Sequence, residues 1–345
     1  MATAEDPRET DIHPRRRTNL VGHREAEQQL LRAYQSGRMH HAWLLAGPRG
    51  IGKATLAYRL ARFILEFPKP GLAKDRSTLY VAPEAGVARR IVSRGHPDLL
   101  VLERQFDPKR ERLKSEIVIE DAREASEFFS RTAGEGGWRI CIVDSADDLN
   151  SASANSLLKI LEEPPSRCLF LLVSHQPGSL LRTIRSRSLR LDLRPLNSDE
   201  TLAVVKEVYG GEGQDESDLA RAAILSAGSP GRALELLANK GAEIFTGFRT
   251  AMSERGSLQP AEQFRLADRF SGRDGAEDFD IFCELLLDWT AGEARRFAGA
   301  GKGAAMAGAH GDIAHSIRLT NALNLDRRQA ILDAMSRLEE AIKAA

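Results

Sequence analysis

At 345 residues the chain exceeds the usual size of a single core, which points to two or three domains. Hydrophobic residues at 42% and charged residues at 28% exclude wholesale disorder, and 49 basic against 49 acidic side chains exclude a polycation that coats nucleic acid over its whole surface. No apolar run approaches the ~20 residues that span a bilayer, and the N-terminus has no apolar signal core. The three cysteines, Cys141, Cys168 and Cys283, lack metal-ligand spacing, so the expectation is a reduced, metal-free, cytoplasmic chain.

Residues 1–19 are polar and unpatterned, which predicts a mobile arm. Ala26, Leu30, Leu31 and Tyr34 recur at helical spacing after Gly22-His23, and Gly37 ends that helix. Ala42 to Ala46 is a short apolar run that suits a strand buried on both faces. A Gly-rich turn, residues 47–52, leads into a helix with Leu56, Leu60 and Ile64 on its inner side, completing the first unit of a βαβ fold. Residues 67–95, with Pro68, Pro70 and Pro83, read as an irregular insertion.

Leu99 to Leu102 predicts a second strand, and Ala122, Ala125, Phe128 and Phe129 mark a helix. A third strand, Ile140 to Val143, ends on Asp144, and a helix over Ala152 to Leu161 stops before Pro164-Pro165. Leu169 to Val173 and Leu189 to Leu193 supply two more strands. Apolar strands alternating with helices predict a parallel sheet covered on both faces. Residues 196 to about 240 read as short helices around Gly228 to Gly231, and the remainder as helical apart from a Gly/Ala-rich flexible loop at 298–311. The expected domains are an arm (1–19), an α/β domain (20–195), a small helical domain (196–242) and an all-α C-terminal domain (243–345).

Gly47 to Ala54 reads G-P-R-G-I-G-K-A, which matches the phosphate-binding loop G-x-x-x-x-G-K-[ST] except at its last position. Gly47, Gly50 and Gly52 let backbone N–H groups close around phosphate oxygens, Lys53 reaches the phosphates, and the following helix N-terminus favours an anion. Ala54 stands where a hydroxyl would hold Mg²⁺, and Thr55 lies about 100° around the helix, so it does not simply substitute. Asp144 occupies the strand-end carboxylate position, but Ser145 follows where a hydrolase places a glutamate, and a serine is no general base near neutral pH. Asp147 and Asp148 read as charges at a helix start. Gly301-Lys302 lacks a preceding strand and is a decoy, while His40, His41, His96, His175, His310 and His315 show no repeating ligand spacing.

Three stretches together carry a resemblance: residues 39–53 (MHHAWLLAGPRGIGK), 155–165 (NSLLKILEEPP) and 184–188 (IRSRS). They resemble the bacterial clamp-loader branch of the AAA+ proteins, and Gly95-His96-Pro97-Asp98 with Gly228 to Leu234 narrow this to the delta-prime group of DNA polymerase III subunits. The resemblance runs from about residue 18 to 240.

It implies an α/β P-loop (AAA+) domain, then a helical lid and a helical collar that joins a ring of subunits. It implies that Arg187 is presented in trans to a neighbour's ATP, with Ser188 in place of the usual cysteine. It implies Ser174 as the polar sensor residue, and gamma/tau-type ATPase subunits, a delta subunit, the sliding clamp and primed DNA as partners, with no membrane. The lid arginine position falls on Gly231, with Arg232 displaced by one. Many relatives carry a four-cysteine zinc module where residues 67–95 have no cysteine, so no zinc is expected. ATP or ADP binding stays open because Lys53 is retained. The expected role is a ring-completing subunit without ATPase of its own; the alternatives are a self-sufficient AAA+ ATPase and a nucleotide-sensing adaptor outside replication.

Overall fold

The computed structural model describes residues 10, 12–108, 112–135, 137–209, 216–238, 248, 259–271, 275–298 and 303–344. They fall into two compact units, Met1–Val204 and Val205–Ala345.

The first unit is a parallel five-stranded sheet with helices on both faces. Its strands are β1 (Ala42–Ala46), β2 (Leu99–Glu103), β5 (Arg139–Asp144), β6 (Cys168–Ser174) and β7 (Leu189–Asp192), in the order β2-β5-β6-β1-β7. Successive side chains alternate between faces. Trp43, Leu45, Ile142, Leu171 and Val173 therefore pack on α1 (Arg24–Gln35), α2 (Lys53–Glu66) and α3 (Gly86–Val92). Leu44, Cys141, Val143, Phe170 and Leu172 pack on α4 (Ile119–Ser130), α5 (Ser151–Glu162) and α6 (Arg182–Arg187). Burial on both faces explains why these strands read as continuous apolar runs. A two-stranded hairpin, β3 (Phe106–Asp107) and β4 (Arg112–Leu113), escapes prediction because each arm is only two residues long.

Two expectations in this unit are corrected. The segment before Leu20 is not a free arm where it is described: Pro14–Arg16 forms a 3-10 turn, and Arg15 is 1% exposed. Buried Arg62 donates to the carbonyls of Arg17 (2.7 Å) and Arg15, and Arg59 to that of Thr18. Polar composition suggested mobility, whereas the anchoring uses backbone carbonyls, which composition does not show. The insertion at 67–95 is partly regular, with a 3-10 turn Pro70–Ala73 followed by α3.

The second unit is helical: α8 (Glu216–Leu225), α9 (Pro230–Ala238), α10 (Pro260–Arg269), α11 (Gly275–Phe297), α12 (Gly303–Leu323) and α13 (Arg327–Ala344). The preceding helix, α7 (Ser198–Tyr209), runs across the boundary between the units. Ala227 and Gly228 take positive φ (51° and 82°), and Pro230 then opens α9 at a position that needs no N–H. The predicted loop at 298–311 is overturned from Gly303 onward, where α12 begins. Gly303 packs so closely that a Cβ would lie 2.7 Å from the Ala294 carbonyl oxygen, and His310 Nδ1 meets the buried Thr290 hydroxyl at 2.9 Å. Small residues here allow close helix approach rather than flexibility. Gly301-Lys302 lies outside the described residues.

Candidate functional site

In a parallel sheet the strand C-termini open on one side, and four of them converge here. Ala46 is in register with Ser174, and Glu103 with Asp144. The loop leaving β1 turns through Gly47, Gly50 and Gly52, with φ of 149°, 74° and 106°, conformations that side chains with a Cβ rarely adopt. A Cβ on Gly47 would collide with the Leu193 carbonyl oxygen. Gly52 is the N-cap of α2, so the helix N-terminus opens at Lys53.

Lys53 is 2% exposed, and its Nζ donates to the carbonyls of Gly47 (2.6 Å) and Pro48. Burial pulls its pKa down to about 8, against the opposing pull of Asp144 and Asp147. Asp144, closing β5, is pushed up to about 6 by burial and then by the neighbouring Glu103, with Lys53 acting against both. Ala54 and Thr55 follow on α2, both half-buried. The donor set suits a phosphate, while Ala54 offers no oxygen to a metal. Among the described residues no group of three or more His, Cys, Asp or Glu side chains is placed to hold a metal ion.

Asp147 stands in the first turn of a short helix, as read from the sequence, but its carboxylate is engaged well beyond that turn. It sits in a 3-10 turn, Ala146–Asp148, and gathers donors from two strand ends. The hydroxyls of Ser145 and Ser174 each donate to it at 2.8 Å, and the backbone N–H groups of His175 (2.6 Å) and Gln176 (3.0 Å) complete the set. Burial alone would raise its pKa, but these four bonds bring it below the usual carboxylate value. Asp148 pairs with Arg104 at 3.1 Å. His175 is driven down to about 4 by burial and then by Lys53. His23 accepts the same kind of penalty, and its Nε2 donates to the Ile51 carbonyl at 2.7 Å, bracing the loop. Glu103 was not singled out from the sequence, and His175 was read there only as a histidine without ligand spacing. The signal for both was their place at or just beyond the C-terminal end of an apolar run.

Arg187 stands elsewhere. It ends α6 just before β7, whose Leu189 is in register with Trp43 at the start of β1. The loop begins four residues further along β1, about 13 Å away at ~3.3 Å per residue. Arg187 is thus at the opposite end of the strands from Lys53. Its Nη2 donates to Glu162 Oε1 at 2.7 Å and its Nη1 to the Thr183 carbonyl at 3.0 Å.

The Gly95–Asp98 motif also lies away from the loop, at the entry to β2. Asp98 accepts the N–H groups of Gly134 (2.7 Å) and Glu135 (3.0 Å), latching the turn before β5. In the second unit, Arg232 donates to Asp288, and its Nε lies 3.8 Å from Glu284.

The sequence profile of the family described as DNA polymerase III, delta subunit, matches residues 22–197. The chain is 36% identical over 159 residues to DNA polymerase III subunit delta' of Yersinia pestis, covering 46% of this chain and 43% of the relative. It is 30% identical over 271 residues to subunit delta' of Pseudomonas aeruginosa, covering 77% of this chain and 75% of the relative. It is also similar, at 30% over 225 residues, to subunit gamma/tau of Mycobacterium tuberculosis, covering 63% of this chain and 36% of the relative. A P-loop between β1 and α2, a parallel sheet of this order and a profile match across half the sequence agree: the chain belongs to this family of DNA polymerase III subunits and is delta-prime-like.

Proposed function

We propose that the chain is a clamp-loader subunit that completes the ring, presents Arg187 in trans to the ATP of a gamma/tau-type neighbour, and hydrolyses no ATP itself. In this reading residues 20–195 form the nucleotide-loop domain, 196–242 the lid and 243–345 the collar, and the protein acts in the cytoplasm. It works with a delta subunit and supports placement of the sliding clamp on primed DNA.

The observation that carries the proposal is the separation of Arg187 from Lys53 at opposite strand ends. A guanidinium there is out of reach of its own loop but open to a neighbour. Such a finger stabilises charge on the transferring phosphoryl group, an effect worth roughly 10³–10⁵ in rate in related systems.

Asp147 and Asp148 support the second half. Hydrolysis needs a group that orients and deprotonates a water. Asp147 is saturated by four donors, Asp148 is ion-paired, and the Ser145 hydroxyl is used inside its own turn. ATP or ADP would be held by the N–H groups of the loop and by Lys53, while Ala54 supplies no oxygen for an accompanying Mg²⁺.

The test is the DNA- and clamp-stimulated ATPase rate of the reconstituted loader with wild-type chain or Arg187→Ala. The expected result is a fall of 10²-fold or more with assembly intact and no turnover by the chain alone. An unchanged rate, or turnover by the isolated chain, would overturn the proposal.

A further inference from the structure

The contact between Arg187 and Glu162 joins two elements that are each fixed independently. Glu162 is the last residue of α5, and Pro164-Pro165 prevents the helix from extending beyond it. The end of that helix is pinned from the sheet, since His41 Nε2 donates to the Leu161 carbonyl at 3.1 Å and Leu161 is buried. On the other side, α6 is anchored by Ile184, 1% exposed, and the Ser188 hydroxyl donates back to the Ile184 carbonyl at 2.9 Å. Ser188, which replaces the family's cysteine, thus closes the turn from which Arg187 projects.

A guanidinium has five N–H donors in one plane. Nη2 donates to Glu162, Nη1 donates to both the Thr183 carbonyl (3.0 Å) and the Ser186 hydroxyl (3.4 Å), and the side chain keeps about a third of its surface exposed (32%). Acceptors on two separate elements, Glu162 on α5 and Thr183 with Ser186 on α6, fix both the position and the plane of the group. The Nε–H and the second Nη2–H are left for an external oxyanion.

We propose that Glu162 is a positioning residue for Arg187: it holds the guanidinium pre-oriented for the neighbour's phosphate, and so acts on the trans reaction without touching it. This rests on the reading of Arg187 as a finger in trans. Pre-organisation acts on the chemical step, because a group already in place loses no rotamer freedom as charge develops. A half-exposed ion pair predicts a modest effect, about two- to fivefold.

The experiment measures kcat and KM for ATP of the reconstituted loader with wild type, Glu162→Ala, Glu162→Gln, Arg187→Ala and the double variant Glu162→Ala/Arg187→Ala. Assembly and the thermal midpoint of each chain are checked alongside. The expected result is a two- to fivefold lower kcat for Glu162→Ala at unchanged KM. Glu162→Gln, which keeps an acceptor without the charge, should fall between. The double variant should match Arg187→Ala alone, since a positioning residue has nothing to position once the arginine is gone. A Glu162→Ala rate at or above wild type overturns the proposal, as does a loss that adds to that of Arg187→Ala. If Arg187→Ala lowers the rate and Glu162→Ala does not, only the positioning role fails. If Arg187→Ala has no effect, both readings fail.

Discussion

Ser174, the last residue of β6, donates its hydroxyl to Asp147 Oδ1 at 2.8 Å, tying the end of β6 to the turn that follows β5. Ser174 is fully buried, so this bond is also what satisfies its hydroxyl. The residue expected to sense phosphate is therefore engaged by its own chain.

Replacing Asp147 with Ala should destabilise the first unit by about 2–4 kcal/mol, because two hydroxyls and two backbone N–H groups lose a charged acceptor. Urea denaturation of wild type and variant checks this. The sign with pH follows from the lowered pKa. A carboxylate whose folded pKa lies below its unfolded value near ~3.9 contributes stability above that value and loses it as pH falls through the folded pKa. The difference between wild type and Asp147→Ala should thus be constant from pH 5 upward and shrink below about pH 4.

Asp144 should behave in the opposite way. Its folded pKa, raised to about 6 by burial and Glu103, lies above the unfolded value. Its protonated form favours the fold, so its contribution is best below about pH 4, declines between pH 4 and 6, and is a constant penalty above. Asp144→Asn should remove that decline and raise stability at pH 7.5 by up to about 3 kcal/mol, less where water reaches the carboxylate. A stability-against-pH series for the two proteins decides it. An unaltered slope between pH 4 and 6 would assign the decline to other groups.

Arg62→Met should release the segment before Leu20. It removes the donors to the Arg15 and Arg17 carbonyls while roughly keeping the buried volume. Trypsin cleavage at Arg15, Arg16 and Arg17 should become on the order of tenfold faster, the factor that about 1.4 kcal/mol of lost hydrogen bonding implies. Mass spectrometry of the early fragments shows whether those sites, rather than sites in the second unit, are the ones exposed.

Much of the first unit was readable from residue patterns. The apolar run 42–46 is β1 at the same residues, and proline at 164 marks the end of α5 within a residue or two. Both signals are local. What escaped depends on partners distant in sequence: Asp147 meets Ser174 across 27 residues, and Arg62 meets Arg15 across 47. The start of α12 was misread because glycine and alanine carry no large apolar side chain to display a helical period, although Gly303, Met306 and Ala309 are buried at that spacing. The loop glycines and Lys53 stand at the β1–α2 turn where the motif placed them, and Asp144 at the end of β5 where its apolar run placed it, because both signals are local. Glu162 was not, because its pairing with Arg187 depends on how α5 and α6 pack.

The edge strand β7 has a consequence for assembly. It is four residues long, and Arg190 and Asp192, both exposed, pair across its surface at 2.7 Å. A short, charge-decorated edge is a poor template for adding another strand. A neighbour seated on this side would be held by contacts other than an added strand, and could part from it without unzipping a ladder of backbone hydrogen bonds.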